Sequence, residues 1–159
     1  MNVALLGTGL LGQAVAERLH ATGHHLSAYN RTPEKTLALR QQGLHIASTA
    51  VEAIAAAEVV ILLLADAAAI RAVLLDPSTS QALGGRTIIQ MGTIGPSESC
   101  SIGEEIERLG GQYLEAPVLG SIAEAKSGAL LIMVGATPER YAAWVPLLQA
   151  LSSDVRLIG

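Results

Sequence analysis

Three glycines at Gly7, Gly9 and Gly12, in the segment Gly7-Thr8-Gly9-Leu10-Leu11-Gly12, stand directly behind the apolar run Val3–Leu6. After them Leu10, Leu11, Ala14, Val15 and Leu19 recur on one side of a helical period. That order demands a strand, a tight turn and a helix whose first turn lies against the turn. Gly7 permits the turn, Gly9 lets a ligand approach the backbone, and Gly12 lets the helix press on the strand. The start of such a helix offers free N–H groups and a positive dipole end, which suit phosphate. The hexapeptide alone is a weak signal. With a strand before it and a helix after it, the segment reads as the pyrophosphate loop of a dinucleotide site, the alternative being a plain strand–helix turn.

The rest of the chain repeats the alternation. Strand-like runs lie at Val3–Leu6, His25–Tyr29, Val59–Leu64, Thr87–Met91, Tyr113–Ala116, Leu130–Val134 and Val155–Ile158, with a weaker one near Leu44–Ile46. Several are continuously apolar, as in strands buried on both faces. Thr32-Pro33-Glu34 and Thr137-Pro138-Glu139 each offer a capping hydroxyl, a proline at the first helical position and a carboxylate near the dipole's positive end. Thr49 and Glu52 have capping-box spacing, and Gly23 and Gly110 stand where helices should stop. No linker or repeat interrupts the pattern. The expected fold is α/β, a Rossmann-type doubly wound and mostly parallel sheet, as one domain over residues 1–159.

Composition narrows the partners. Ten Lys and Arg against 14 Asp and Glu leave a net charge of −4 without a basic tract, which argues against nucleic acid. The longest uninterrupted apolar run, near Val59–Ala65, is too short to span a bilayer, and the Val3–Val15 stretch lacks a basic segment before it. A single cysteine, Cys100, forms no internal disulfide, and a cytoplasmic setting is expected. Half the residues are apolar and mean hydropathy is +0.44, with no Phe. Either an Ala-rich core absorbs that excess, or an apolar face meets another copy or another domain.

About 20 residues past the glycine loop, the second strand should end at the position that reads the adenosine ribose. There the chain has Tyr29-Asn30-Arg31-Thr32. An Asp or Glu would accept bonds from a ribose 2′-OH and repel a 2′-phosphate. Neither is present. Asn30 is neutral, Arg31 supplies a cationic fork and Thr32 a hydroxyl, a set that suits a 2′-phosphate. NADP(H) is therefore the expected cofactor, with NAD(H) second. The plainer reading makes Arg31 a solvated loop charge and Thr32 a helix cap.

With these segments in view, the chain resembles the β-hydroxyacid dehydrogenases, the family of 3-hydroxyisobutyrate and 6-phosphogluconate dehydrogenases, and within it the glyoxylate/succinic semialdehyde reductases. The opening VALLGTGLLGQAVAERL resembles the family's G-x-G-x-M-G segment, with Leu11 at the Met, and Asn30-Arg31-Thr32 resembles its NADP-using members. The resemblance implies that Leu64-Ala65-Asp66 lies under the adenosine and that Thr93, in Met91-Gly92-Thr93-Ile94-Gly95-Pro96, lies near the nicotinamide. The most specific likeness is Glu115-Ala116-Pro117-Val118-Leu119-Gly120-Ser121, followed by Ala125 and Gly128-Ala129-Leu130. By that likeness Gly120 and Ser121 hold the carboxylate of a small aldehyde or hydroxy acid. Leu119 replaces a family Ser, and Glu124 stands where Gly is usual. From the residues alone, a plain strand–turn–helix connection competes with an anion seat at Ser121.

Reduction of a carbonyl needs a proton donor for the developing alkoxide. In the family that donor is a Lys of a C-terminal helical domain, which is expected to lie outside residues 1–159. Lys35 follows the ribose site and Lys126 reads as a solvated helix lysine. No catalytic residue is assigned. Nor is a metal: His24 and His25 point opposite ways on a strand, and His20 and His45 have no evident partners. The resemblance implies the cofactor half of an oxidoreductase interconverting small 3-hydroxy acids and their aldehyde or keto acids, incomplete alone and joined by a helical domain or by other copies. A non-catalytic nucleotide-binding or oligomerisation module and an imine-reductase-like domain are the alternatives, and Glu115–Ser121 argues against the last.

Overall fold

A computed structural model describes all residues, Met1–Gly159. Six strands form a parallel sheet: β1 (Asn2–Leu6), β2 (His25–Tyr29), β3 (His45–Ile46), β4 (Val59–Leu62), β5 (Thr87–Gln90) and β6 (Gln112–Glu115), in the order β3-β2-β1-β4-β5-β6. The order reverses between β1 and β4, which pair Val3 with Val59 through Leu6 with Leu62. A three-stranded sheet follows, made of β7 (Val118–Leu119), β8 (Leu131–Val134) and β9 (Asp154–Leu157), with β7 antiparallel to β8 and β9 parallel to it.

Helices cover both faces of the large sheet, which is why its strands are apolar on both sides. Val3, Leu5, Val59 and Ile61 face one core with α1 (Leu10–Ala21), α7 (Ile122–Ser127) and α8 (Pro138–Leu148), and Ile132 and Val134 of the small sheet join the same core. Ala4, Leu6, Val60 and Leu62 face the other with α3 (Ala50–Ala55), α4 (Ala67–Leu74) and α6 (Pro96–Arg108). Two short helices complete the chain, α2 (Leu37–Gln41) and α5 (Pro77–Ser80). Arg86 fastens the ends of two helices at once. Its guanidinium donates to the carbonyls of Ile54, Ala55, Ala57, Ala82 and Gly84, satisfying oxygens that the ends of α3 and α5 leave open.

Every expected strand is present, though several are shorter. The run Val59–Leu64 forms strand pairs only to Leu62, beyond which Leu63 N still donates to Leu6 O at 3.0 Å. The two-residue β7 carries no periodicity and was not expected. Thr49 and Thr137 cap their helices as expected, accepting from Glu52 N at 3.1 Å and Arg140 N at 3.3 Å. Thr32 does not. The turn after it is a 3-10 segment, Pro33–Thr36, and Lys35 N donates to the Thr32 carbonyl at 3.0 Å, which leaves the hydroxyl without a cap bond.

Tyr113 of β6 sets a pH limit on the fold. Burial pushes its hydroxyl up to about 12 from the ordinary 10.0, against the pull of the bond to Ser99 Oγ at 2.8 Å. The folded chain keeps this proton where the unfolded chain releases it. The contribution is whole below pH 10 and is lost as pH rises toward 12. Urea titrations across that window should show a decline that Tyr113→Phe flattens. An equal decline in the variant would remove Tyr113 as its cause.

Candidate functional site

At the carboxyl ends of β1, β2 and β4, where the strand order reverses, lies a cleft of about 450 Å³. Such a crevice is where open α/β sheets bind ligands. Its wall is built from the glycine turn (Gly7, Gly9, Leu10, Leu11, Gly12), the end of β2 (Tyr29 to Thr32, with Lys35), the end of β4 (Leu63, Leu64, Ala65), Ala69 and Val73 of α4, and Gly92.

The three glycines are not interchangeable. Gly7 has φ +103°, and a Cβ there would run into the Leu63 carbonyl oxygen. A Cβ on Gly12 would run into the carbonyl oxygen of Gly7, so α1 can lie on the turn only without one. A Cβ on Gly9 would meet nothing within 4 Å and would project into open space at the cleft. The first intrahelical donor of α1 is Gln13 N, to Gly9 O at 2.8 Å. The N–H groups before it have no intrahelical partner and can serve an anion. This geometry fits a pyrophosphate.

The far wall is polar and cationic. The Arg31 guanidinium and the Lys35 ammonium form no ion pair, and all three of Arg31, Thr32 and Lys35 are exposed at the cleft. No carboxylate lines the cleft. Asn30 is turned to the protein. Its Oδ1 accepts from Thr8 N at 2.9 Å and its Nδ2 donates to Thr32 O at 3.1 Å.

Not every residue expected in the site reaches the cleft. Gly7, Gly9, Leu10, Leu11, Gly12, Asn30, Arg31, Thr32, Leu64 and Ala65 do. Thr8 is fully buried behind the turn, its hydroxyl donating to Lys35 O at 2.8 Å. Asp66 caps α4, accepting from Ala69 N at 2.8 Å, and is outside the wall. Thr93 is exposed on the loop before α6, and its neighbour Gly92 is the lining residue. Gly120 and Ser121 lie apart, before α7. Ser121 Oγ accepts from Glu124 N at 3.2 Å, and Ser121 N donates to Glu124 Oε1 at 2.9 Å. The open anion seat expected at Ser121 is thus engaged by the chain's own carboxylate, an outcome of the Glu124 substitution that the resemblance had marked.

Six lining residues, Tyr29, Lys35, Leu63, Ala69, Val73 and Gly92, lie outside the set expected from the sequence. Lys35 belongs to the turn after the ribose site, and its spacing of four from Arg31 is the sequence signal that brings the two together. Ala69 and Val73 carried no signal beyond helical period. Lys126 is exposed and lies 3.8 Å from Glu17 Oε2, away from the cleft. His20, His24, His25 and His45 border one surface depression, but no three potential metal ligands come together in the chain. No helix is long and apolar enough to cross a membrane.

A family model described as the NAD binding domain of 6-phosphogluconate dehydrogenase matches residues 2–159. The 2-hydroxy-3-oxopropionate reductase of Escherichia coli (strain K12) is 29% identical over 163 residues, which cover 100% of this chain and 55% of that protein. The mitochondrial 3-hydroxyisobutyrate dehydrogenase of Mus musculus is 30% identical over 161 residues, covering 99% and 48%. The chain therefore spans about half the length of these relatives. The solved structure of Psf3 in complex with NADP+ and 2-OPP superposes with a TM-score of 0.91 at 29% identity, over 98% of this chain and 56% of that one. With its glycine turn, its parallel sheet and its cleft at the strand reversal, this chain belongs to the family of NAD(P)-binding domains of the 6-phosphogluconate and 3-hydroxyisobutyrate dehydrogenases.

Proposed function

We propose that this chain is the NADP(H)-preferring cofactor domain of a reductase that interconverts small 3-hydroxy acids and their aldehyde or keto acids. One observation carries the cofactor preference. Arg31, Thr32 and Lys35 stand together at the end of β2 with no ion-pair partner, where a 2′-OH reader would have a carboxylate. Arg31 would clamp the 2′-phosphate through its planar fork, Thr32 would donate its hydroxyl, and Lys35 would add a point charge. The start of α1 would hold the pyrophosphate, Leu64 and Ala65 the adenosine, and Thr93 the nicotinamide side. NADP(H), when bound, supplies or accepts the hydride.

The substrate reading rests on the named relatives and on the Glu115–Ser121 segment. Gly120 and Ser121 would face the substrate carboxylate. Because Glu124 already engages Ser121, donors beyond this chain would carry more of that contact. The alkoxide's proton would come from outside residues 1–159, since Lys126 lies away from the cleft beside Glu17. A helical domain or a second copy would bring the donor and cover exposed apolar residues such as Leu119 and Ile122.

Calorimetric titration of the chain with NADPH and NADH tests the cofactor claim. NADPH should bind at least tenfold more tightly, the equivalent of about 1.4 kcal/mol of phosphate recognition. Equal binding, or tighter NADH, would sink it.

A further inference from the structure

We infer that Thr8, Gln13 and Asn30 form a bracket that sets the aim of the Arg31–Lys35 loop, making Thr8 and Gln13 positioning residues for the distinction between phosphorylated and unphosphorylated dinucleotides. The inference rests on the NADP(H) reading above and concerns Thr8 and Gln13, which do not line the cleft.

Every polar group of Thr8 is spent on the neighbouring loop or on Gln13. Its N–H donates to Asn30 Oδ1 at 2.9 Å, its hydroxyl donates to Lys35 O at 2.8 Å, and its carbonyl accepts from Gln13 Nε2 at 3.0 Å. Gln13 Nε2 also reaches Lys35 O at 3.3 Å, and Asn30 Nδ2 closes the far side on Thr32 O at 3.1 Å. The backbone adds Gly7 N to Tyr29 O at 2.9 Å. The loop is therefore held at both ends, at Asn30 and at Lys35, while Arg31 and Thr32 between them extend free side chains into the cleft. Thr8 is completely buried and has no polar atom left for a ligand.

An exposed arginine recognises a phosphate well only if its loop is already in place, since affinity falls by the fraction of time the loop is misplaced. The bracket supplies that order. Its bonds from the Thr8 hydroxyl and from Gln13 to Lys35 O lie on the loop side of the turn, whereas the fit of the pyrophosphate seat depends on the positive φ of Gly7 and on the contact of Gly12 with Gly7. Loosening the bracket should therefore weaken NADPH and spare NADH.

Thr8→Val tests this at constant shape. It removes the hydroxyl, while Lys35 O keeps its bond from Gln13, so no buried carbonyl is orphaned. Losing one net hydrogen bond of about 1 kcal/mol from loop order should weaken NADPH about fivefold and NADH less than twofold. Thr8→Ser should restore NADPH binding. Gln13→Leu, at a partly exposed position, should act in the same direction with thermal melts as control, and exchange of the amides between Arg31 and Lys35 should quicken in both variants without ligand. Equal weakening of both cofactors, or no change in either, with the wild-type preference intact, overturns the bracket alone. A wild-type chain without NADPH preference overturns the bracket together with the reading beneath it.

Discussion

Arg31→Asp should invert the cofactor preference. The substitution removes a cationic fork from the 2′-phosphate position and puts a carboxylate there, which repels phosphate and accepts from a ribose hydroxyl. A charge-assisted bond is worth about 1.5–3 kcal/mol, so NADPH should weaken about 100-fold, with NADH unchanged or improved by up to about tenfold. Arg31 is exposed and makes no ion pair within the chain, so the fold should not respond. The measurement is paired calorimetric titration of wild type and variant, with thermal melts as control. NADPH binding that stays within about threefold of wild type would show that Lys35 and Thr32 suffice and that Arg31 is a solvated charge.

The second large effect separates two glycines of one motif. At Gly12 a Cβ would collide with the Gly7 carbonyl oxygen, a backbone atom that cannot move without opening the turn. Alanine would recover about 1 kcal/mol of helix propensity. Forcing atoms into a packed backbone contact costs about 3 kcal/mol. The collision wins by about 2 kcal/mol, which for a domain of this size lowers the melting temperature by about 6 °C. Cofactor binding should fall with it, because the displaced turn carries the pyrophosphate donors. Gly9→Ala should behave differently. Its Cβ meets no protein atom, so the melting temperature should hold, while the methyl group projects toward the cleft and weakens binding. Melting curves and titrations of the two variants check the pair. If Gly12→Ala melts with wild type, the close approach of α1 to the turn is not a requirement of this fold.

These two expectations differ in how far they could be read without coordinates. The glycine spacing implied the turn, because backbone sterics are local and only glycine accepts the positive φ at Gly7. The continuous apolar runs implied a sheet covered on both faces, since burial on both sides leaves no room for alternation. Asn30, Arg31 and Thr32 were placed at the cleft by counting to the end of the second strand.

Other features escaped because they depend on where side chains turn after the backbone is set. Asn30 stands at the ribose-reading position in the sequence, but its amide faces Thr8 and Thr32. Thr8 was grouped with the ligand contacts and is buried behind them. Thr32 was expected to cap a helix, and a 3-10 turn freed its hydroxyl instead. Lys35 was passed over, because a lysine two residues past a proline has many possible directions. The anion seat expected at Ser121 has its backbone N–H engaged by Glu124 Oε1, in a capping box whose other bond Ser121 Oγ accepts from Glu124 N.

The sequence by itself thus determined the sheet class, the glycine turn and the charge character at the end of β2, all consequences of local sterics, periodicity and residue chemistry. Only the tertiary structure decided which of those groups look into the cleft and which hold the others in place. That division depends on hydrogen bonds between residues 22 to 27 positions apart, such as Thr8 with Asn30 and Lys35, which no local pattern encodes.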